Sequence, residues 1–103
     1  MAVLVTVPGA RQANNLARLL LRDRLAACVN IVSGVESLYW WQGKIERSAE
    51  KLLIIKSRRA LFDQLCACIK KNHSCTVAEV LALPIAKGSR DYLNWMRENL
   101  KKS

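Results

Sequence analysis

Two long extended segments joined by a short turn dominate the middle of this 103-residue chain. The first is "AACVNIVSGVESLYWW" and the second is "KIERSAEKLLIIKS", with Gln42 and Gly43 between them. A polar residue followed by glycine favours a tight hairpin turn. Each arm has about 14 residues, whereas most strands have about 5–6. We therefore predict a hairpin that projects beyond its sheet and leaves long edges for another chain to pair or cover.

The second arm carries the run "KLLIIKS", which places aliphatic side chains on both faces of one strand. Leu52 and Ile54 point to one face, because alternate residues of a strand point the same way, while Leu53 and Ile55 point to the other. A continuous apolar run is typical of a strand that is buried on both faces. The chain's own helices can cover one face, so we expect another copy of the chain to cover the other.

The flanking segments complete a recognisable order of elements. "AVLVTVP" and "TVAEVLALPI" predict strands, and apolar residues at helical spacing predict a helix between Ala10 and Leu25. A second helix is predicted after Ser57, with Leu61, Phe62, Leu65, Cys66 and Ile69 on its core face. Ser89 is a suitable N-cap for a last helix. The chain is therefore predicted to be a single domain (1–103) of the α+β class, a ferredoxin-like βαββαβ sandwich with a long central hairpin and an added C-terminal helix, which associates with further copies of itself.

The composition indicates the cellular compartment and the classes of partner to expect. The chain has 17 Lys and Arg against 8 Asp and Glu, a net charge of +9. These charges are spread along the sequence, which favours a solvated surface over a specific nucleic-acid site. "MAVLVTVPGA" contains neither a basic leader nor a membrane-spanning run, so we expect a cytoplasmic protein with no membrane partner. Its four cysteines are then expected to be thiols.

The aromatic group at the end of the first arm needs a separate explanation. Tyr39, Trp40 and Trp41 are consecutive, so the two indoles point to opposite faces and cannot share one core. Because the hairpin overhangs, one ring can pack on its own protomer while the other reaches a neighbour. We predict packing roles, within or between chains, for these aromatic residues.

Four stretches resemble the CutA family, which is named for divalent-cation tolerance. They are "RLAACVNIV", "SLYWWQGKIE", "LLIIKS" and "EVLALPI…G…YLNWM", and the resemblance extends from Val3 to about Met96. It implies a ferredoxin-like subunit and a homotrimer held by intersubunit strand pairing, similar to the PII signalling proteins. It also implies a role in metal tolerance, copper binding or small-ligand sensing, and no established catalytic activity.

The metal ligands of the family are only partly present. Copper binding in bacterial relatives is associated with a cysteine in the first strand and a histidine pair after the second helix. The matching positions hold Val5 and Asn72-His73, and Ser74-Cys75 replaces the family's usual Pro-Tyr. Imidazole, thiolate and carboxylate can bind transition metals. We expect at most weak binding of copper or another divalent metal through His73, Cys75 and Glu79, and no cofactor needed for folding.

The remaining cysteine, aromatic and charged residues give weaker evidence for a binding site. Cys66 and Cys68 lie two residues apart on a helix and do not share a face, which argues against a zinc site. Residues that could line intersubunit clefts, and there hold a small anion or a cation, are Cys28, Tyr39, Trp40, Trp41, Lys44, Glu50 and Lys56.

The sequence features favour some classes of function over others. No phosphate loop, catalytic triad or carboxylate pair is found, so we predict that the chain is not an enzyme of the acylphosphatase type or any other. A ferredoxin-like RNA binder would need aromatic residues in "KIERSAEKLLIIK", which has none. The predicted function is a CutA-type protein of metal tolerance, with a PII-like sensor of a small anion as the alternative.

Overall fold

The computed structural model describes residues 1–102. Its elements, in chain order, are β1 (Ala2–Val7), α1 (Ala10–Arg22), β2 (Cys28–Trp41), β3 (Lys44–Lys56), α2 (Phe62–Asn72), β4 (Leu81–Leu83) and α3 (Arg90–Asn99). A single 3₁₀ turn, Arg59–Leu61, leads into α2. The predicted βαββαβ order with an added C-terminal helix is confirmed.

The four strands form one sheet in the order β2-β3-β1-β4, and every neighbouring pair is antiparallel. β1 lies inside the sheet because it pairs with β3 along its whole length, from Ala2 opposite Lys56 to Val7 opposite Lys51. The short β4 covers only the first half of β1, from Ala2 to Leu4. The second half of β1 is therefore left without β4 as a neighbour.

The main core lies between one face of the sheet and the helices, and we call this side of the sheet the helix face. Alternate residues of β1 and β3 supply it with fully buried side chains, namely Val3, Val5, Val7, Leu53 and Ile55. α1 contributes Ala13, Leu16, Ala17 and Leu20, and Met96 of α3 closes one end. Burial of this apolar surface is the main stabilising contribution to the fold.

The opposite side of the sheet, which we call the open face, carries the other set of aliphatic residues. Leu4, Leu52 and Ile54 are only half-buried there, while Leu81 and Leu83 of β4 are 56% and 49% exposed. The two sides of "KLLIIKS" therefore differ as expected: Leu53 and Ile55 are fully buried on the helix face, and Leu52 and Ile54 are not fully buried.

The β2–β3 hairpin has the predicted length and turn. It extends from the pair Cys28 and Lys56 to the pair Trp41 and Lys44. Gln42 and Gly43 both have positive φ, 50° and 80°, as a two-residue primed turn requires. The predicted bend appears as a register shift between Val32 and Val35, with Gly34 at φ 76°. The hairpin makes the molecule elongated, with extents of 44 × 26 × 21 Å.

Two predicted boundaries are wrong. α1 ends at Arg22 instead of Leu25, because Arg24 adopts φ 57° and the amide of Leu25 turns back to the carbonyl of Leu20. The last strand is Leu81–Leu83 and not the whole of "TVAEVLALPI". Within the described residues, no helix is long and apolar enough to cross a membrane.

The predicted placement of Cys66 on the core face of α2 is also wrong. Cys66 was expected on the core face of α2, but it is half-buried and lies outside the core cluster. Cys68 is the one that packs against the core. The reason is that the buried stripe of this helix follows Leu61, Leu65 and Ile69, and Cys68 is three residues from Leu65 on the same side.

Candidate functional site

A cavity of about 680 Å³ lies beside the hairpin, where β1 ends and the segment 73–80 leaves α2 for β4. Its lining includes six of the residues predicted as metal or cleft residues: His73, Cys75, Glu79, Tyr39, Trp41 and Glu50. The fold therefore gathers residues from β2, β3 and the segment 73–80 that are far apart in the sequence.

The hairpin supplies the aromatic wall of this cavity. Tyr39 and Trp41 are two residues apart on β2, so they share a face, and each is 40% exposed. The Tyr39 hydroxyl is 2.7 Å from the Ser48 hydroxyl on β3, which fixes the ring against the hairpin. Trp40 points the other way and is 72% exposed. The prediction that the two indoles face opposite sides is confirmed.

His73 is held by both of its ring nitrogens. Nε2 lies 2.7 Å from the carbonyl oxygen of Thr6, and Nδ1 lies 3.0 Å from the backbone nitrogen of Cys75. A carbonyl oxygen can only accept and an amide can only donate. The imidazole is therefore neutral, with its proton on Nε2 and its lone pair on Nδ1 engaged by Cys75.

This hydrogen-bonded histidine fixes the path of the segment that follows α2. The Ser74 hydroxyl adds a bond of 3.0 Å to the side-chain oxygen of Gln12 on α1. The segment is thus tied to β1 on one side and to α1 on the other. The roles of Thr6 and Ser74 were not predicted, because a backbone acceptor 67 residues away leaves no pattern in the sequence.

The geometry limits what the predicted metal ligands can do. His73, Cys75 and Glu79 share the cavity, but residues 1–102 contain no group of three or more His, Cys, Asp or Glu side chains placed to hold a metal ion. A metal can bind a neutral imidazole only through its free lone pair. For His73 this requires that the Cys75 amide first releases Nδ1.

The charge of the cavity is opposite to that of the chain. Glu36, Glu50 and Glu79 contribute to its lining, and no Lys or Arg does so within the described residues. Glu36 is paired with Arg47 at 2.9 Å, but both side chains are more than half exposed, so this ion pair is weak. The cavity therefore favours a cation over an anion.

The remaining predicted cleft residues lie elsewhere. Cys28 and Lys56 are opposite each other at the base of the hairpin. The Lys56 ammonium lies 5.5 Å from the centre of the Tyr92 ring of α3, within the range of a cation–π contact. Lys44 and the exposed Trp40 lie at the hairpin tip. The structure thus divides the predicted cleft set among the base, the side and the tip of one hairpin.

The thiol of Cys68 ionises less readily than that of an ordinary cysteine. Burial raises the pKa of this thiol above its ordinary value, and the nearby Asp23 carboxylate adds to the effect. Cys75, in contrast, is exposed. Thiolate is the nucleophilic and metal-binding form, so Cys68 is the less reactive of the two at neutral pH.

Comparison with known proteins agrees with this architecture. Residues 1–99 match the family model described as "CutA1 divalent ion tolerance protein". The chain is 48% identical to the divalent-cation tolerance protein CutA of Thermus thermophilus over 97 residues, which is 94% of each protein. It is also 48% identical to the chloroplastic CutA 1 of Oryza sativa over 103 residues, although it spans only 58% of that protein. It spans 54% of human CutA, at 41% identity.

Solved structures of similar proteins have the same fold. The crystal structure of CutA1 from Oryza sativa superposes with a TM-score of 0.96 over 99% of this chain and 94% of that one, at 48% identity. The Cut A1 protein of Thermus thermophilus gives a TM-score of 0.95 at 47% identity, over 98% of this chain and all of that one. By sequence and by fold, the chain belongs to the CutA1 family of divalent ion tolerance proteins.

Proposed function

We propose that this chain acts as a non-enzymatic homotrimer in the tolerance of, or response to, divalent metal ions. The observation that carries the assembly is the open face of the sheet. Leu52 and Ile54 are only half-buried there, and Leu81 and Leu83 are about half exposed at its edge. Apolar surface of this kind is stabilised when it is removed from water, and other copies of the chain can cover it.

The hairpin supports the same assembly. Its tip carries Leu38 and Ile45, which are 65% and 63% exposed, beside the exposed Trp40. A strand pair of this length presents unpaired backbone groups to neighbours, and natural proteins cover or pair such edges. Pairing between the hairpins of adjacent subunits would satisfy both requirements.

For direct metal binding, we propose only a low affinity. The carboxylates of the cavity favour a cation, and Cys75 and His73 are ligands suited to copper. However, the lone pair of His73 is already engaged, so binding must compete with a hydrogen bond. We therefore expect weak copper binding that depends on both residues and no metal requirement for folding.

The alternative of a PII-like sensor for a small anion is not supported by this cavity. An anion placed among Glu36, Glu50 and Glu79 would be repelled. A cleft suited to an anion would have to form from Lys44 or Lys56, outside the cavity.

Native mass spectrometry followed by calorimetry tests the proposal. The purified protein should be a trimer, and Cu(I) under reducing conditions should bind more weakly to His73→Ala and Cys75→Ser than to the parent protein. Cys66→Ser is the matched control, because it removes a thiol of α2 that does not line the cavity and should leave copper binding unchanged. A monomer would overturn the assembly. Tight binding that survives both substitutions would place the site elsewhere, and tight binding of a nucleotide would favour the sensor.

A further inference from the structure

Most of the net positive charge of the chain belongs to α1, α2 and the segments at their ends, although the basic residues are dispersed in the sequence. Residues 10–24, 58–72 and 101–102, which comprise α1, α2 and the segments at their ends, contain ten Lys and Arg but only two acidic residues, Asp23 and Asp63. Eight of the nine net positive charges of the chain therefore lie in these three segments. The hairpin, the segment after α2 and α3 together are close to neutral.

Three of these cations form one stripe on α1. Arg11, Arg18 and Arg22 are separated by seven and four residues, so they project from the same side of the helix. All three are exposed, because the opposite side of α1 is buried against the sheet. The stripe has a length of about 16 Å at 1.5 Å per residue.

Cations from the rest of the helix layer extend this surface. Lys70 and Lys71 are exposed in the last turn of α2. The Lys101 ammonium donates to the Gln64 side chain of α2 at 3.0 Å, and Arg58 donates to the carbonyl of Lys101 at 2.8 Å. Together with the stripe on α1 these residues form what we call the basic face. Among residues 1–102, Arg22 is its only cation with a carboxylate within 4 Å, that of Asp23 at 3.1 Å.

We infer that the basic face binds the phosphate backbone of nucleic acid without recognising its sequence. Guanidinium groups bind phosphate oxygens in a bidentate manner, and a row of exposed cations releases counterions from a polyanion. The face is directed away from the open face, so this binding is separate from the proposed assembly and from the cavity. It goes beyond the proposed function and does not depend on it.

An anionic membrane is a poorer match for the same charges. A helix that lies in a bilayer turns its apolar side toward the lipid. In α1 that side is occupied by the core, and Leu21, at 41% exposure, is the one large aliphatic residue of the helix that is substantially exposed. The basic face can therefore adsorb to phosphate but has little apolar surface to insert.

Fluorescence anisotropy with a labelled 20-base-pair DNA duplex of random sequence tests the inference. The test variant replaces Arg11, Arg18 and Arg22 by Gln. The control variant replaces Lys87, Arg90 and Arg97 by Gln, which removes the same charge from exposed positions around α3. At about 100 mM salt the test variant should bind at least tenfold more weakly, and its log–log salt slope should fall by about 2–3. The control variant should change by less than twofold.

The outcomes separate the basic face from net charge and from lipid. Equal losses in the two variants would show that net charge alone causes binding, and no binding by the parent protein at about 50 mM salt would also overturn the inference. Vesicles containing phosphatidylserine provide the comparison surface. Retention on these vesicles under conditions where the duplex is released would replace nucleic acid by a membrane as the partner. Circular dichroism and sedimentation of both variants confirm that fold and assembly are unchanged.

Discussion

The imidazole of His73 fastens the segment after α2 to the central part of the sheet, because its Nε2 donates to the carbonyl oxygen of Thr6 over 2.7 Å. β4 reaches only as far as Leu4 along the same strand. Beyond that point a side chain, instead of a neighbouring strand, connects the segment to β1. The wall of the acidic cavity therefore depends on one neutral histidine.

Replacement of His73 by Ala should destabilise the protein. The substitution removes two hydrogen bonds, each with a net contribution of about 0.5–1.5 kcal/mol, so the free energy of unfolding should fall by about 1–3 kcal/mol. Denaturant unfolding at equal protein concentration measures this. Cys75→Ser is the control, because it keeps the amide that donates to Nδ1. Equal stability of His73→Ala and the parent protein would contradict the geometry.

A charge on the open face should prevent assembly while leaving the subunit folded. Leu83→Asp places a carboxylate at a position that is 49% exposed in the single chain, so the subunit tolerates it. In a trimer that covers this face the carboxylate would be buried without a partner, which is costly. Sedimentation should show a trimer for the parent protein and smaller species for this variant. Leu21→Asp, at a residue of 41% exposure on the helix layer, should remain a trimer.

The two indoles should make unequal contributions to assembly. Trp41 shares a face with the cavity and the open side of the hairpin, whereas Trp40 points to the other side and is largely exposed. If Trp41 contacts a neighbouring subunit, Trp41→Ala should weaken association by about 2 kcal/mol or more, as for other buried interface tryptophans. Trp40→Ala should have a smaller effect. Mass photometry of a dilution series measures the dissociation of the trimer for each variant. Equal dissociation of the two variants would exclude an interface role for Trp41.

The thiols should differ in their rates of alkylation. Burial and Asp23 raise the pKa of Cys68, so a smaller fraction of this thiol is ionised at a given pH than for an ordinary cysteine. With iodoacetamide at neutral pH, Cys75 should be labelled before Cys68. Raising the pH should accelerate the alkylation of Cys68, because a thiol with a raised pKa forms thiolate at a higher pH than an ordinary cysteine does. Peptide mass spectrometry resolves the four sites, and Cys75→Ser should leave the rate of labelling at Cys68 unchanged.

The architecture could be predicted because its signals are local. The turn at Gln42 and Gly43, the two-sided run Leu52 to Ile55 and the Ser89 cap are each contained in a few residues, and the structure confirms all three. The Ser89 hydroxyl accepts from the amide of Tyr92 at 3.3 Å. Each of these features is fixed by backbone geometry or by strand periodicity.

The misassigned parts depend on partners that are distant in the chain. β4 comprises only the three residues that pair with Ala2, Val3 and Leu4 of β1. The sequence "TVAEVLALPI" contains no signal that shows where this pairing begins and ends. Cys66 and Cys68 both lie near the apolar stripe of α2, so the rotation of the helix against the sheet determines which one packs. The bond between His73 and Thr6 requires the complete fold before it can form.

The extra residue at the Ser33–Gly34 bend changes the parity of β2. Before the bend, even-numbered side chains such as Asn30 share the side of Ile54, while beyond it odd-numbered side chains do, since Val35 pairs with Glu50. The bend thus determines that Trp41, and not Trp40, reaches the cavity. Deletion of one residue there would turn the side chain of Trp40 toward the cavity and that of Trp41 away from it, with no substitution at either position. The length of this bend, as much as the identity of the residues that follow it, therefore sets which aromatic side chain lines the cavity of this chain.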